Sequence, residues 1–238
     1  MKRDQTQSEL NFLASTSYEN KDYHAAEMYY KRLIELDPTE YSYQSQYSFV
    51  LRLQGKLDKA LYAVDTAISL NPQDVALYWM KAAAMKSSAC RDQKLSIVER
   101  REVFILSIAL EQTSLSLDPT CEEAWVDLIE SKLCILDFNG AIGELGRSNK
   151  RIKKMRLIWS FLGCLAFILS GSVVDEELGA IFFDPDACFS AWCLIEVECL
   201  LKDLEKEEFY PDRLLIARKY LSHFIDRKTK GGILARLT

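Results

Sequence analysis

The sequence predicts an all-α protein, about six helical hairpins stacked into one right-handed α-α superhelix. Three observations carry that expectation. Proline recurs after 34 residues, from Pro38 to Pro72, each time behind Asp or Asn, and this is the length at which a two-helix unit repeats. Between the prolines the apolar residues fall at i, i+3, i+4, the period of a helix face and not the alternation of a strand. Only 9 Gly and 5 Pro in 238 residues leave too little punctuation for a sandwich or barrel. A hairpin of two helices cannot bury its apolar face alone, so neighbouring units must stack and leave a concave side.

In the first unit, residues 7–40, Leu10, Leu13 and Ala14 share a stripe of a helix that runs to about Glu19. Asn20-Lys21-Asp22 makes the turn, and a second helix from about Tyr23 to Leu36 turns Ala26, Tyr30 and Leu33 inward. Ala is needed where two helices approach closely, and Tyr fills the wider gap beside it. Pro38 ends the unit because it would remove a helical hydrogen bond and clash with the preceding turn. The second unit, 41–74, repeats this, with Gly55 supplying the left-handed residue that ends its first helix. The third, 75–119, is stretched: Tyr78, Ala82 and Met85 lie on its first helix, and the surplus falls between about Ser87 and Glu99. The helix-forming run Leu95 to Phe104 places that surplus as extra turns on the second helix. The fourth unit, 120–152, carries Trp125, Leu128, Ile129, Phe138 and Ala141, with Ser148 to Lys154 in place of a closing Asp-Pro. The fifth and sixth, 153–187 and 188–227, are degenerate. Trp159, Leu162, Gly163 and Ala166 with Asp184-Pro185 mark one; Trp192, Ile195, Glu196, Cys199, Pro211, Ala217, Leu221 and Phe224 mark the other. A tail, 228–238, follows.

Two segments make the pattern specific. Ala25-Ala26-Glu27-Met28-Tyr29-Tyr30 closed by Asp37-Pro38, and Gln54-Gly55-Lys56-Leu57-Asp58-Lys59-Ala60 closed by Asn71-Pro72, resemble the signature of the tetratricopeptide repeat (TPR) family. The resemblance implies a non-enzymatic scaffold or adaptor that binds a peptide or partner segment in its concave groove. It also implies where groove residues fall, on the first helix of each unit. In the first three units those places hold Asn11, Phe12, Ser15, Tyr18, Ser45, Gln46, Phe49, Arg52, Trp79, Met80 and Lys86. Asn11, Tyr18, Gln46, Phe49, Arg52, Trp79 and Met80 are the partner-binding candidates, because amides hold a peptide backbone while its side chains drop between rings. One TPR subclass grips the carboxylate tail of heat-shock chaperones through Lys, Arg and Asn. The matching places here hold Asn11, Ser15, Gln46, Ala76 and Met80, without the cations that would balance the terminal charge. The late units hold Phe161, Cys164, Phe167, Ile168, Leu194, Val197, Leu200 and Leu201 at these places, too apolar to face water. The tail Ile233 to Leu237, a partner's helix or a second copy of the chain should cover them.

The net charge of −5 gives no reason to expect nucleic acid. Its one concentrated exception is basic: Arg147, Lys150, Arg151, Lys153, Lys154 and Arg156 stand together with no acid between Glu144 and Asp175. Lys150, Arg151, Lys153, Lys154 and Arg156 form a candidate patch for an acidic partner or an anionic lipid surface, with a solvated turn as the plainer reading. Leu157 to Val174 then carries no charge at all. That run is either the buried first helix of the fifth unit or a membrane insertion, which keeps a membrane-associated assembly factor as the alternative function.

Chemistry finds little support. No glycine-rich phosphate loop, HExxH or GxSxG motif is present, and the carboxylates of Glu122-Glu123 and Glu205 to Glu208 read as solvated helix faces. His24 and His223 have no sequence neighbour that would make either a base. Enzymes with helical-repeat subunits, the protein prenyltransferases, carry a tryptophan-rich repeat unlike this one. Seven scattered cysteines without CxxC spacing predict small buried thiols in a reducing compartment and no metal site. No cofactor is expected, no signal peptide opens the chain, and the expected location is the cytoplasm.

Overall fold

The computed structural model describes residues 2–152, 157–172 and 195–230. All regular structure among them is helical: α1 (Lys2–Glu19), α2 (Tyr23–Leu36), α3 (Tyr41–Leu53), α4 (Leu57–Leu70), α5 (Val75–Arg91), α6 (Ile97–Leu117), α7 (Glu122–Cys134), α8 (Phe138–Ser148), α9 (Leu157–Ser170), α10 (Ile195–Lys206) and α11 (Pro211–Lys230). From α1 to α9 every helix packs on the next, and α3, α5, α7 and α9 also touch one another in turn as an inner layer. This is the stacked-hairpin solenoid that the repeat predicts.

The periodicity has a concrete cause in the turns. Lys21, Gly55 and Leu136 all take left-handed backbone, with φ of 62°, 74° and 65°. At each, the following N–H reaches back five residues: Asp22 to Ser17, Lys56 to Leu51, Asp137 to Lys132, all at 2.9 Å. One motif thus satisfies the last carbonyls of three first helices and aims the chain into the second. Asp22 and Asp137 then cap the new helix by accepting from the Ala25 and Gly140 N–H groups. Asp37, Asn71 and Asp118 close the second helices, their side chains accepting from the N–H groups of Thr39, Gln73 and Thr120 across the prolines. Because only glycine adopts φ > 0 freely, Lys21→Gly is expected to stabilise the chain by about 1 kcal/mol and Gly55→Ala to destabilise it by about as much. Thermal midpoints of the two variants check this.

Ala26 and Ala60 have no exposed surface, as close helix contacts require. Ser48 Oγ donates to the Ala60 carbonyl within the second unit, while Lys56 pairs with Glu27 and Gln54 donates to the Tyr23 carbonyl, so polar groups also tie the first two units. Leu13 stays largely exposed, since α1 packs on α2 alone among the strongest neighbours. In the third unit the surplus lengthens both helices, to 17 residues in α5 and 21 in α6, and a Ser96/Glu99 capping box starts α6.

The end of the chain departs from simple stacking. α11 packs on α9, with Phe161 and Tyr220 stacked at 5.3 Å, while α10 folds back onto α5 and α7 of the inner layer. Phe161, Cys164, Ile168, Val197, Leu200 and Leu201 are buried by this arrangement, and Phe167 is partly buried. The chain's own helices therefore supply most of the cover these residues need. Leu194 and the tail 233–237 lie outside the described residues, as do Trp192, Asp184 and Pro185. α9 has 14 residues and packs on α7, α8 and α11; a Cβ on Gly163 would stand 2.6 Å from Leu145, which shows how closely α8 and α9 approach. Among the described residues no helix is long and apolar enough to cross a membrane.

Candidate functional site

The inner faces of α1, α3 and α5 form the candidate site. Tyr18 leaves α1 at its last turn and meets Phe49 of α3 edge-on at 5.7 Å, with Tyr23 at 6.2 Å on its other side. The Arg52 guanidinium lies over the Phe49 ring at 5.1 Å. Its Nε is buried with no hydrogen-bond partner among the described residues. Burial and then Tyr23 push the Tyr18 hydroxyl pKa up against the pull of Arg52, so Tyr18 remains a neutral donor. Phe49 and Trp79 flank one small core of Val64, Ala67, Leu77 and Met80. Asn11 and Gln46 stand exposed, without a hydrogen-bond partner among the described residues.

The structure thus brings Tyr18, Phe49 and Arg52 into one aromatic-cationic ledge, with Trp79 a helix further on and the two amides free beside it. Met80 is different: it is 7% exposed, accepts from Ser45 Oγ at 3.6 Å, and serves the floor more than the surface. Phe12 is 70% exposed.

Lys86, at a groove place by its position in the unit, is not presented to a ligand. It has no exposed surface at all. Its Nζ lies 2.6 Å from Asp127, 3.1 Å from Glu111 and 3.4 Å from Glu130, where α5, α6 and α7 meet. Glu196 of α10 joins the same neighbourhood through Ser87 Oγ at 2.9 Å. Burial alone would lower the lysine pKa, but the four carboxylates hold it well above its ordinary value. The carboxylates respond the other way: burial pushes Glu111 up to about 7 and also raises Asp127 and Glu196. One lysine cannot neutralise four buried acids, so the cluster retains a proton. The second oxygens of Glu111 and Asp127 are buried without a partner among the described residues.

α10 closes the inner face beyond this point. Arg100 holds Asp203 with two nitrogens, Arg101 pairs with Glu207, and Cys134 Sγ approaches the Glu196 carbonyl at 3.8 Å. Among the described residues no helix covers the inner face along α1, α3 and the start of α5, whereas α10 packs on it along α5 and α7.

Of the basic patch, Lys150 and Arg151 are exposed and, with Arg147, rim an open depression of about 610 Å³ between α6, α7 and α8, where Arg147 pairs with Glu144 at 2.7 Å. Leu115, Pro119 and Trp125 floor it. Lys153, Lys154 and Arg156 lie outside the described residues. No group of three or more His, Cys, Asp or Glu side chains among the described residues is arranged to hold a metal ion.

Sequence reasoning missed the Lys86 cluster. A signal was present: the inward stripe of α6 reads Phe104, Ser107, Glu111, Ser114, a charge where the period calls for an apolar residue. α7 repeats it with Asp127 and Glu130 among Trp125, Leu128 and Ile129.

No family model and no curated protein matches the chain. Among solved structures it is similar to TTC0263, a TPR protein of Thermus thermophilus, with a TM-score of 0.61 and 12% identity over 90% of this chain and 98% of that one. It is also similar to MamA, at 0.55 and 13% over 87% and 97%. A third is YrrB, described as a TPR protein with an unusual peptide-binding site, at 0.53 and 12% over 88% and 90%. The chain has the TPR fold.

Proposed function

We propose that this chain is a non-enzymatic interaction scaffold that holds an extended peptide along α1, α3 and the start of α5. The ledge of Tyr18, Phe49 and Arg52 carries the reading, because its rings and cation lie together, partly exposed, on the first helices of adjacent units, with Asn11 and Gln46 exposed on the same two helices for a peptide backbone. Trp79 extends the apolar side of that surface. The peptide-binding neighbour agrees with this use of the fold. The test is affinity for peptides selected by display on the intact chain, read by fluorescence anisotropy. Trp79→Ala with Arg52→Glu is expected to weaken them at least about tenfold, the loss typical of central aromatic and arginine contacts. Unchanged affinity with an unchanged helical spectrum would overturn the groove assignment.

The depression rimmed by Arg147, Lys150 and Arg151 supports a second contact, for an acidic partner segment. Lys150→Glu with Arg151→Glu is expected to abolish binding of a poly-glutamate probe that the native chain retains at low salt. Equal retention by both chains would count against this contact.

A further inference from the structure

Two cysteines that sequence spacing leaves unconnected, Cys90 in the last turn of α5 and Cys199 in α10, line one cavity of about 620 Å³. Both are partly exposed, whereas Cys134 and Cys164 are buried. Ser87 meets Glu196 at 2.9 Å and, just past the end of α5, Arg100 meets Asp203, so Cys90, one turn after Ser87, stands opposite Cys199, one turn after Glu196. Cys199 Sγ also lies 4.0 Å from Asp203, whose carboxylate is held by Arg100. Arg91, Lys202 and Lys206 line the same cavity with exposed cationic heads, which outweigh Asp92 and the already paired Asp203. The geometry is that of a nucleophilic sulfur with a resolving thiol beside it, in an opening that favours anions.

We propose that Cys90 and Cys199 form a modification site for small anionic disulfides of the glutathione class, and that oxidation closes them into a disulfide tying α10 to α5. The Cys199 thiolate attacks one sulfur of R–S–S–R, forming a mixed disulfide and releasing one thiolate, which takes the proton lost by Cys199. Cys90 then loses its proton and attacks the Cys199 sulfur, displacing the second thiolate, which is protonated in turn. Two protein thiols are oxidised and one small disulfide is reduced to two thiols. The pKa directions agree with this division of labour: the neighbouring Cys90 lowers Cys199 although burial and Asp203 oppose it, with Arg100 adding to the lowering, while Cys199 and burial raise Cys90. Burial instead raises Cys121, which makes that partly exposed thiol the internal control.

α10 covers the inner layer at α5 and α7, so the new bond would fix the closed end of the concave face covalently. The inference is independent of what the open end binds.

The test uses the intact chain incubated with glutathione disulfide, then digested and analysed by mass spectrometry. The expected product is a Cys90–Cys199 linked peptide that dithiothreitol reverses. Cys199 is expected to react at least about tenfold faster than Cys121. Cystamine, a cationic disulfide, is expected to react more slowly than glutathione disulfide. Cys90→Ser should trap the glutathionyl group on Cys199, and Cys199→Ser should leave Cys90 unmodified under the same conditions. Amide exchange along α10 should slow at least about tenfold in the oxidised chain. A link to Cys188 or Cys193, faster reaction at Cys90, reactivity equal to Cys121, or faster reaction with cystamine would each overturn the proposal. The native-chain measurements decide it even if a serine variant does not fold.

Discussion

Replacing Lys86 by methionine is expected to destabilise the folded chain by about 3–5 kcal/mol at pH 7, the loss that follows when one partner of a buried ionic cluster is removed. Methionine fills much the same space, so the change isolates the charge from the packing. Lys86 is the cation within 3.4 Å of Glu111, Asp127 and Glu130, and none of these groups can turn to solvent. Without it each carboxylate must take up a proton or the contact of α5, α6 and α7 must open. Adding Glu111→Gln and Asp127→Asn to Lys86→Met is expected to restore most of the loss, because it removes the charges left behind. Repeat arrays unfold in blocks, so both the urea midpoint and the exchange rates of α5 to α7 amides are needed to measure the effect. A loss under about 1 kcal/mol would mean that water reaches the cluster.

The same cluster sets an expected pH dependence. Glu111 titrates at about 7 in the folded chain against an ordinary value of 4.5, because burial outweighs the attraction of Lys86. The folded state therefore keeps a proton that the unfolded chain has already released. Its stabilising contribution is complete below about pH 4.5 and is lost as the pH rises to about 7, with little further change above that. The size is on the order of 3 kcal/mol across the window. Asp127 and Glu196 are raised in the same direction, so the released proton belongs to the cluster as a whole. Glu27 runs the opposite way: its pairing with Lys56 lowers its pKa although burial opposes, and its contribution is lost only under more acidic conditions. Glu111→Gln should flatten the slope between pH 5 and pH 7 and leave the variant more stable than the native chain at pH 8. Urea denaturation at a series of pH values checks both expectations. A native stability that rises between pH 5 and pH 7 would contradict the assignment.

Helices and turns of the early units were legible because their determinants are local. A left-handed residue just past the first helix, an acid to cap the next helix, and Asp-Pro or Asn-Pro to close it are all within one unit of sequence. The bounds expected for the second helix, Tyr23 to Leu36, are those of α2. The fold-back of α10 was not legible. Ile195, Glu196 and Cys199 have the spacing of a first helix whichever neighbour they meet, and a helical period specifies a face without specifying its partner. The Lys86 cluster was hidden for a related reason. Its acids come from α6, α7 and α10, so no spacing in the sequence brings them together. Position in the unit placed Lys86 in the groove, but the side chain lies wholly buried where α5, α6 and α7 meet. Tyr18, Phe49 and Arg52 were easier, since they lie on adjacent first helices of two strong repeats.

Hydrogen–deuterium exchange of the intact chain, with and without a display-selected peptide, tests the central claim most directly. The account predicts new protection on α1, α3 and the first turns of α5, with the exchange of α10 unchanged. Protection confined to α6 and α8, or release of α10 on binding, would contradict it.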